Sequence, residues 1–296
     1  MKLKIIFSFL LFPALLLSQG SSRGAVSLKF PTTPFVAATG GSFVADPTAL
    51  QSSLINPANI ASSEAYGVLF SHTEWIQDIQ MECLSIAAPF SIGSLSLSIA
   101  NTSVDGLELR TIPGPAIGTF NAQSTSFQLT YGVALTQNIR IGIAPKYIYE
   151  KIFVDEATGY GFDAGVIYFP HVEGLSLGCS LTNVGSLSAF RNDRTELPSQ
   201  VRFGGTYSLH LDEMVFRVAT TFSSEIGTPI NHTGIGGEAT YEHILTVRFG
   251  YQTGIDTRGI SAGLGIRYSI VMIDYAYVPF SLQVGDSHLI SIGFVL

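Results

Sequence analysis

From Tyr66 to the C terminus, apolar residues alternate with small or polar ones at a period of two. Between Ser124 and Leu135, one face carries Phe127, Leu129, Tyr131, Val133 and Leu135. The other carries Ser126, Gln128, Thr130, Gly132 and Ala134. In the next run Ile139, Ile141, Ile143, Pro145, Tyr147 and Tyr149 face one way, and Asn138, Arg140, Gly142, Ala144, Lys146 and Glu150 the other. Such alternation, enriched in Tyr, Phe, Val and Ile, predicts strands with one apolar face. About fourteen runs of this kind follow one another, at 66–72, 79–89, 93–101, 124–135, 138–149, 159–169, 174–183, 200–210, 213–223, 233–241, 244–252, 259–268, 270–277 and 287–296. Short turns such as Gln137-Asn138, His210 to Glu213 and Glu242-His243 alternate with longer polar connections. The long ones are Thr102 to Gln123, Lys151 to Thr158, Val184 to Ser199, Ser224 to His232 and Val278 to Asp286. An up-and-down meander with all its short turns at one end predicts an all-β fold: a transmembrane antiparallel β-barrel of about 14 strands over residues 66–296.

Composition narrows the solvent. The chain is 46% hydrophobic but only 12% charged, with a mean hydropathy of +0.36, whereas a soluble domain carries about 25% charged residues. A secreted β-sandwich, the rival fold, has too few charges here to cover its exterior. Only the first twenty residues hold an apolar run approaching a membrane helix. Lys2 and Lys4, the stretch Ile5 to Leu17, and Ser18-Gln19-Gly20 predict a signal peptide over 1–19, cleaved on export. Without Lys2 and Lys4 the charge is 13 − 22 = −9. Since no Lys/Arg cluster replaces phosphate counterions, a nucleic-acid partner is excluded. Cys83 and Cys179 lie far apart in alternating runs and predict no disulfide framework.

Seven strand charges, Asp163, Arg202, Arg217, Glu238, Arg248, Arg267 and Asp274, sit opposite the apolar face. In a barrel that face is the lumen, because a charge facing lipid at mid-membrane costs about 2–4 kcal/mol. Hairpin pairing predicts Glu238 with Arg248 and Asp274 with Arg267. The set serves either as an internal network that holds a filled barrel together or as an electrostatic lining for a solute path.

Residues 20–65 do not alternate, and Asp46-Pro47 and Asn56-Pro57 are turn-initiating pairs with a short helix predicted between them, over Thr48 to Leu54. An apolar, exported segment must pack somewhere, and the barrel interior is available. Gly40-Gly41-Ser42-Phe43-Val44-Ala45-Asp46 with Asn56-Pro57-Ala58 resembles the N-terminal hatch motif of FadL-like outer-membrane proteins, and among them the PorV/PorQ family of type IX secretion. The likeness continues through His72 to Asp78, Gly106 to Thr111, Gly118 to Phe120, Leu181 to Gly185, Leu197-Pro198, Val201 to Gly204, Ile273 to Tyr277 and Ser287 to Phe294. It implies a 14-stranded barrel in a Gram-negative outer membrane, plugged by a hatch over 20–65, in which Gly40, Gly41, Asp46, Asn56, Pro57 and Ala58 are the motif residues. It also implies partners among secreted cargo or its surface-attachment machinery. The chain departs from the shuttling members in lacking their extended loops.

Enzymatic chemistry finds no foothold in the sequence. Gly259-Ile260-Ser261-Ala262-Gly263 spells a nucleophile elbow, but inside an alternating strand rather than a strand-turn-helix. The histidines show no metal-ligand spacing, so no metal, no cofactor and no catalytic residue is expected. Trp75, the single tryptophan, falls in the first connection and reads as an interfacial anchor or a partner contact. Two functions compete: a type IX component engaging protein partners, and a FadL-like passive transporter of hydrophobic small molecules, with a purely structural barrel behind both.

Overall fold

The computed structural model describes residues 23–46, 50–190, 194–254, 258–281 and 285–296. The predicted signal peptide, 1–19, lies outside them. In chain order the strands are β1 (Gly67–Glu74), β2 (Ile79–Phe90), β3 (Gly93–Leu109), β4 (Gly118–Ala134), β5 (Ile139–Ile152), β6 (Asp155–Tyr168), β7 (Leu175–Leu187), β8 (Thr195–Glu196), β9 (Gln200–Leu211), β10 (Met214–Glu225), β11 (Asn231–Tyr241), β12 (Leu245–Thr253), β13 (Ile260–Tyr268), β14 (Val271–Pro279) and β15 (Asp286–Val295). Apart from β8, a two-residue addition to the end of β7, each strand pairs antiparallel with its neighbours in the chain. β1 pairs β15, from Gly67 opposite Val295 to Glu74 opposite His288, and this seam closes a barrel of fourteen strands.

Alternation sets which face points where. Phe127 and Leu129 are exposed while Gln128 and Thr130 are buried; Ile141 and Ile143 are exposed while Gly142 and Ala144 are buried. The outside is therefore apolar and the inside small and polar, the inverse of a soluble barrel. No helix among the described residues is long and apolar enough to cross a membrane. Strands cross instead, and closure leaves no backbone edge for lipid to meet.

Two predicted loops turn out to be largely strand. Thr102 to Gln123 continues β3 and β4 to a turn at 110–117, and Lys151 to Thr158 contracts to Phe153-Val154 between β5 and β6. Apolar residues no longer recur at every second position in these stretches, so the period-two signal fades, yet backbone pairing continues: Ser103 opposite Gln123, Lys151 opposite Glu156. Only about 9–11 residues are needed to cross a bilayer. The 17 residues of β3 and of β4 therefore extend beyond it, at the end opposite residues 66 and 296. That end is called here the loop end, and the other the short-turn end.

Residues 23–46 and 50–66 run lengthwise through the interior. At the loop end the Arg23 guanidinium donates to the carbonyls of Leu197 at 3.0 Å and of Ile226, and the Gly24 N–H donates to the Glu196 carbonyl at 3.1 Å. At the short-turn end the Ser94 hydroxyl donates to the Ser63 carbonyl at 3.0 Å. Between these points lie α1 (Pro34–Ala38) and short 3-10 stretches at Val26–Lys29, Leu50–Ser52 and Pro57–Ser62. Of the helix predicted over Thr48 to Leu54, the described residues 50–54 form only the 3-10 turn Leu50–Ser52. α1 starts where Thr33 accepts the Val36 N–H at 3.3 Å and Pro34 takes the first turn.

An irregular segment inside a barrel has backbone carbonyls that strand pairing does not serve, and each left unpaired is costly. Inward hydroxyls of the barrel serve them: Ser261 bonds the Ala38 carbonyl at 3.0 Å, Thr221 that of Ser42 at 2.5 Å, Ser176 that of Ala45 at 3.0 Å and Ser180 that of Ile55 at 2.9 Å. Phe35, Phe43, Val44 and Ile60 are buried in the same space, each burial contributing about 1.5–3 kcal/mol for the larger side chains.

Candidate functional site

The interior polar residues form a ladder across one wall. Arg217 on β10 lies directly opposite Glu238 on β11, and Glu238 opposite Arg248 on β12. Arg217 Nη2 meets Glu238 Oε1 at 2.6 Å, Arg248 Nε meets Glu238 Oε2 at 3.0 Å, and Arg248 Nη1 reaches Asp274 Oδ1 on β14 at 2.5 Å. The N-terminal segment grips both ends of this row. Asp46 Oδ1 accepts from Arg217 Nη1 at 2.7 Å, and Gln51 Nε2 donates to Asp274 Oδ2 at 2.6 Å. The guanidinium faces are used as well: Arg217 lies 5.1 Å from the Phe43 ring centroid and Arg248 lies 5.3 Å from that of Phe35. Edges thus bond carboxylates while faces carry aromatic rings, a division available to arginine and not to lysine.

The predicted Glu238–Arg248 hairpin pair is thus present, but Asp274 is bonded to Arg248 and not to Arg267. Arg248 spans β13 to reach it, because Gly265, directly opposite Asp274, leaves the space empty. A Cβ on Gly265 would stand 2.5 Å from Asp274 Oδ1 and 2.8 Å from Arg248 Nη1. Gly265→Ala is therefore expected to destabilise the barrel by about 1–3 kcal/mol, read as a lower urea midpoint. Gly237→Ala on the outer face, where a Cβ meets nothing nearer than 3.5 Å, should shift it little. Equal shifts for the two would contradict the role given to Gly265. Arg267 itself is exposed at the short-turn mouth, against Met272.

Asp163 and Arg202 belong elsewhere. Asp163 is fully buried on β6 at a bulge against β7, bonded to Lys146 Nζ at 2.8 Å and accepting the Asn183 N–H at 2.6 Å. Arg202, half-buried on β9, donates to Thr182 Oγ1 at 2.8 Å and to Gln200 Oε1.

The predicted motif residues lie in the N-terminal segment as follows. Gly40 and Gly41 have φ of 61° and 68°, and they reverse the chain after α1. Asp46 is buried, accepts from Ser52 Oγ at 2.7 Å and pairs with Arg217. Asn56 caps the Pro57–Ser62 turn by accepting the Ala58 N–H at 3.0 Å, and it donates to the Val44 carbonyl at 2.7 Å. Pro57 and Ala58 press on the barrel wall where β5 and β6 carry Gly142 and Gly165: a Cβ on Gly142 would overlap the Pro57–Ala58 backbone, and one on Gly165 the Asn56 amide. Trp75 is turned inward. It is 7% exposed and packs between Phe30 and Phe280, with ring centroids at 5.6 and 5.2 Å. It is thus neither at the lipid interface nor on the loop surface.

A cavity lies at each end of this filled middle. The loop-end cavity, about 540 Å³, is walled by Phe30, Val36, Leu54, Ile55, Trp75 and Phe280, and Arg202 and Arg258 also line it. The short-turn cavity, about 350 Å³, is walled by Leu50, Gln51, His210, His243, Arg267 and the ladder. Sequence reasoning named Trp75 and Arg202 of the loop-end cavity and Arg267 and the ladder charges of the other, but missed Phe30, Phe280 and Arg258 and the inward serines. The signal for the serines was present, as the small face of each strand. Ser261, in the elbow-like string, is one of those carbonyl donors. Cys83 and Cys179 are free, and no group of three or more His, Cys, Asp or Glu side chains placed for a metal occurs among the described residues.

The sequence matches no family model and no curated protein. Solved structures do match. The Pseudomonas putida toluene transporter TodX aligns over 89% of this chain and 98% of its own, with a TM-score of 0.61 at 10% identity. The CymD monoaromatic hydrocarbon channel aligns over 89% and 97%, at 0.59 and 11%. A Pseudomonas aeruginosa FadL homologue aligns over 88% and 97%, at 0.55 and 11%. The fold is that of the FadL-like barrels. At such identity the likeness is one of fold alone, and it supports nothing finer, such as the PorV/PorQ assignment. In this FadL-like barrel the interior is not wholly filled: the N-terminal segment separates an amphipathic cavity from a polar one.

Proposed function

We propose that this protein is an outer-membrane channel passing hydrophobic small molecules, with the N-terminal segment as the plug between its two cavities. The observation that carries the reading is the pair of cavities at opposite ends, each walled in part by that segment: Val36, Leu54 and Ile55 above, Leu50 and Gln51 below. Pockets for small apolar ligands are concave and mostly apolar, with a few placed polar groups, and the loop-end cavity fits that description. Two of the similar structures, a toluene transporter and a monoaromatic hydrocarbon channel, point the same way. The protein partners of a type IX pathway rest on the sequence resemblance alone, and no feature of the barrel or of the compared structures favours them.

The test is expression in a Gram-negative host whose outer membrane excludes apolar dyes. Fluorescence of N-phenyl-1-naphthylamine, which rises when the dye crosses that membrane, should increase on expression, while uptake of a disaccharide should not. Sugar uptake without dye uptake would overturn the reading. So would loss of cargo from the surface of a deletion strain whose dye uptake is unchanged.

A further inference from the structure

The loop-end cavity is not simply apolar. Arg202 and Arg258 both line it, and among the described residues neither has a carboxylate within ion-pair distance. Their polar neighbours are neutral: Gln252 for Arg258, and Gln200 and Thr182 for Arg202. The carboxylates around them are already committed. Glu225 holds Arg23 at 3.3 Å and Lys29 at 3.2 Å, and Asp163 holds Lys146 at 2.8 Å. A guanidinium carries five N–H donors, and a charge withdrawn from water without a counter-charge is costly. Burial alone pushes the Arg258 guanidinium down to about 10. Elsewhere in this interior each of the buried arginines, Arg217 and Arg248, is bonded to two carboxylates. Arg202 and Arg258 differ in facing their cavity with no carboxylate partner at ion-pair distance among the described residues.

The second observation is what surrounds that space. Phe30, Trp75 and Phe280 form a continuous aromatic wall, with Trp75 and Phe280 edge to face at 84°. The Arg258 guanidinium lies 5.6 Å from the Trp75 ring centroid. A cation resting on the aromatic wall sets the anion position close to the ring position, which suits a ligand whose acid is attached directly to a ring.

We propose that the loop-end cavity binds an aromatic carboxylate, its ring on the Phe30–Trp75–Phe280 wall and its carboxylate on Arg258, with Arg202 as the second cation. A neutral hydrocarbon leaves Arg258 without a counter-charge among the described residues, and Arg202 with only the more distant Asp163, which Lys146 already holds. An alkyl carboxylate satisfies the charge but forgoes ring stacking. The inference deepens the channel reading and rests on it for the ligand's route, though not for its binding.

Trp75 is the single tryptophan, so its fluorescence reports this cavity alone. Benzoate, benzamide, octanoate and toluene are titrated into the full chain in nanodiscs, with calorimetry alongside. Benzoate is expected to bind at least about tenfold more tightly than its neutral isostere benzamide, and more tightly than octanoate. Arg258→Gln should weaken benzoate by about tenfold or more while leaving toluene unchanged. The benzamide comparison needs no variant, so a folding defect in Arg258→Gln does not rescue the idea. Equal affinities for benzoate and benzamide, or tighter binding of octanoate, would overturn it. If benzoate binds as expected but no apolar dye crosses the membrane, the channel reading fails and the site stands. Dye uptake without benzoate binding has the opposite meaning.

Discussion

Replacing Arg248 with methionine should lower the stability of the barrel by about 3–5 kcal/mol, the usual cost of removing one member of a buried ionic network. Arg248 neutralises both Glu238 and Asp274, so its loss leaves two buried carboxylates with one fewer cation among three strands. Glu238 retains Arg217, but Asp274 retains only the neutral Gln51 amide. The measurement is urea unfolding in lipid vesicles, followed by heat-modifiable gel mobility. Arg267→Met serves as the control: this arginine sits exposed at the mouth and should cost no more than about 0.5 kcal/mol. A loss at Arg248 no larger than that at Arg267 would show the ladder to be energetically idle.

Gly142→Leu should unseat the plug. The Pro57–Ala58 backbone occupies the space that a Cβ at residue 142 needs, and backbone cannot step aside as a side-chain end can. Overpacking of this kind costs about 1–3 kcal/mol. At about 1.4 kcal/mol per tenfold, the displaced state gains roughly five- to a hundredfold in population. Ion conductance in planar bilayers should rise accordingly, and the outward-facing Gly237→Leu should leave it unchanged. An unaltered conductance in a Gly142→Leu protein that still shows heat-modifiable mobility would mean that the segment does not block the path.

The lipid-facing half of the fold was legible in the sequence because lipid imposes a strict rule on every second residue: Phe127 and Leu129 had to be apolar, and Gln128 and Thr130 had to avoid that face. Where the rule lapses, as at Thr102 to Gln123, strand read as loop. Inside the barrel the rules are looser. Pairing logic considers adjacent strands, so it gave Asp274 to Arg267 and missed a bond that crosses β13 over Gly265. Trp75 was ambiguous for a related reason: aromatic character says that a side chain is to be covered, not by what. The serines that satisfy the plug's carbonyls, and the glycines Gly142 and Gly165 that admit it, read only as a small-residue face. Their meaning depends on residues far off in the chain, from 31 positions away for Ser94 to 223 for Ser261.

The lengthwise course of residues 23–46 and 50–66 also constrains how the protein assembles. The barrel closes at β1 and β15, its first and last strands, so the ring stays open until the final residues of the chain arrive. Arg23 is fastened to the loops on either side of β9 and β10, and the segment's other end leads straight into β1. Building the wall around a segment already in place avoids threading it through a finished ring. The inward hydroxyls and the ladder tie the segment to β7, β10, β13 and β14. Chains lacking the segment are expected to close poorly, read as loss of heat-modifiable gel mobility, so the same contacts bear on assembly as well as on permeation.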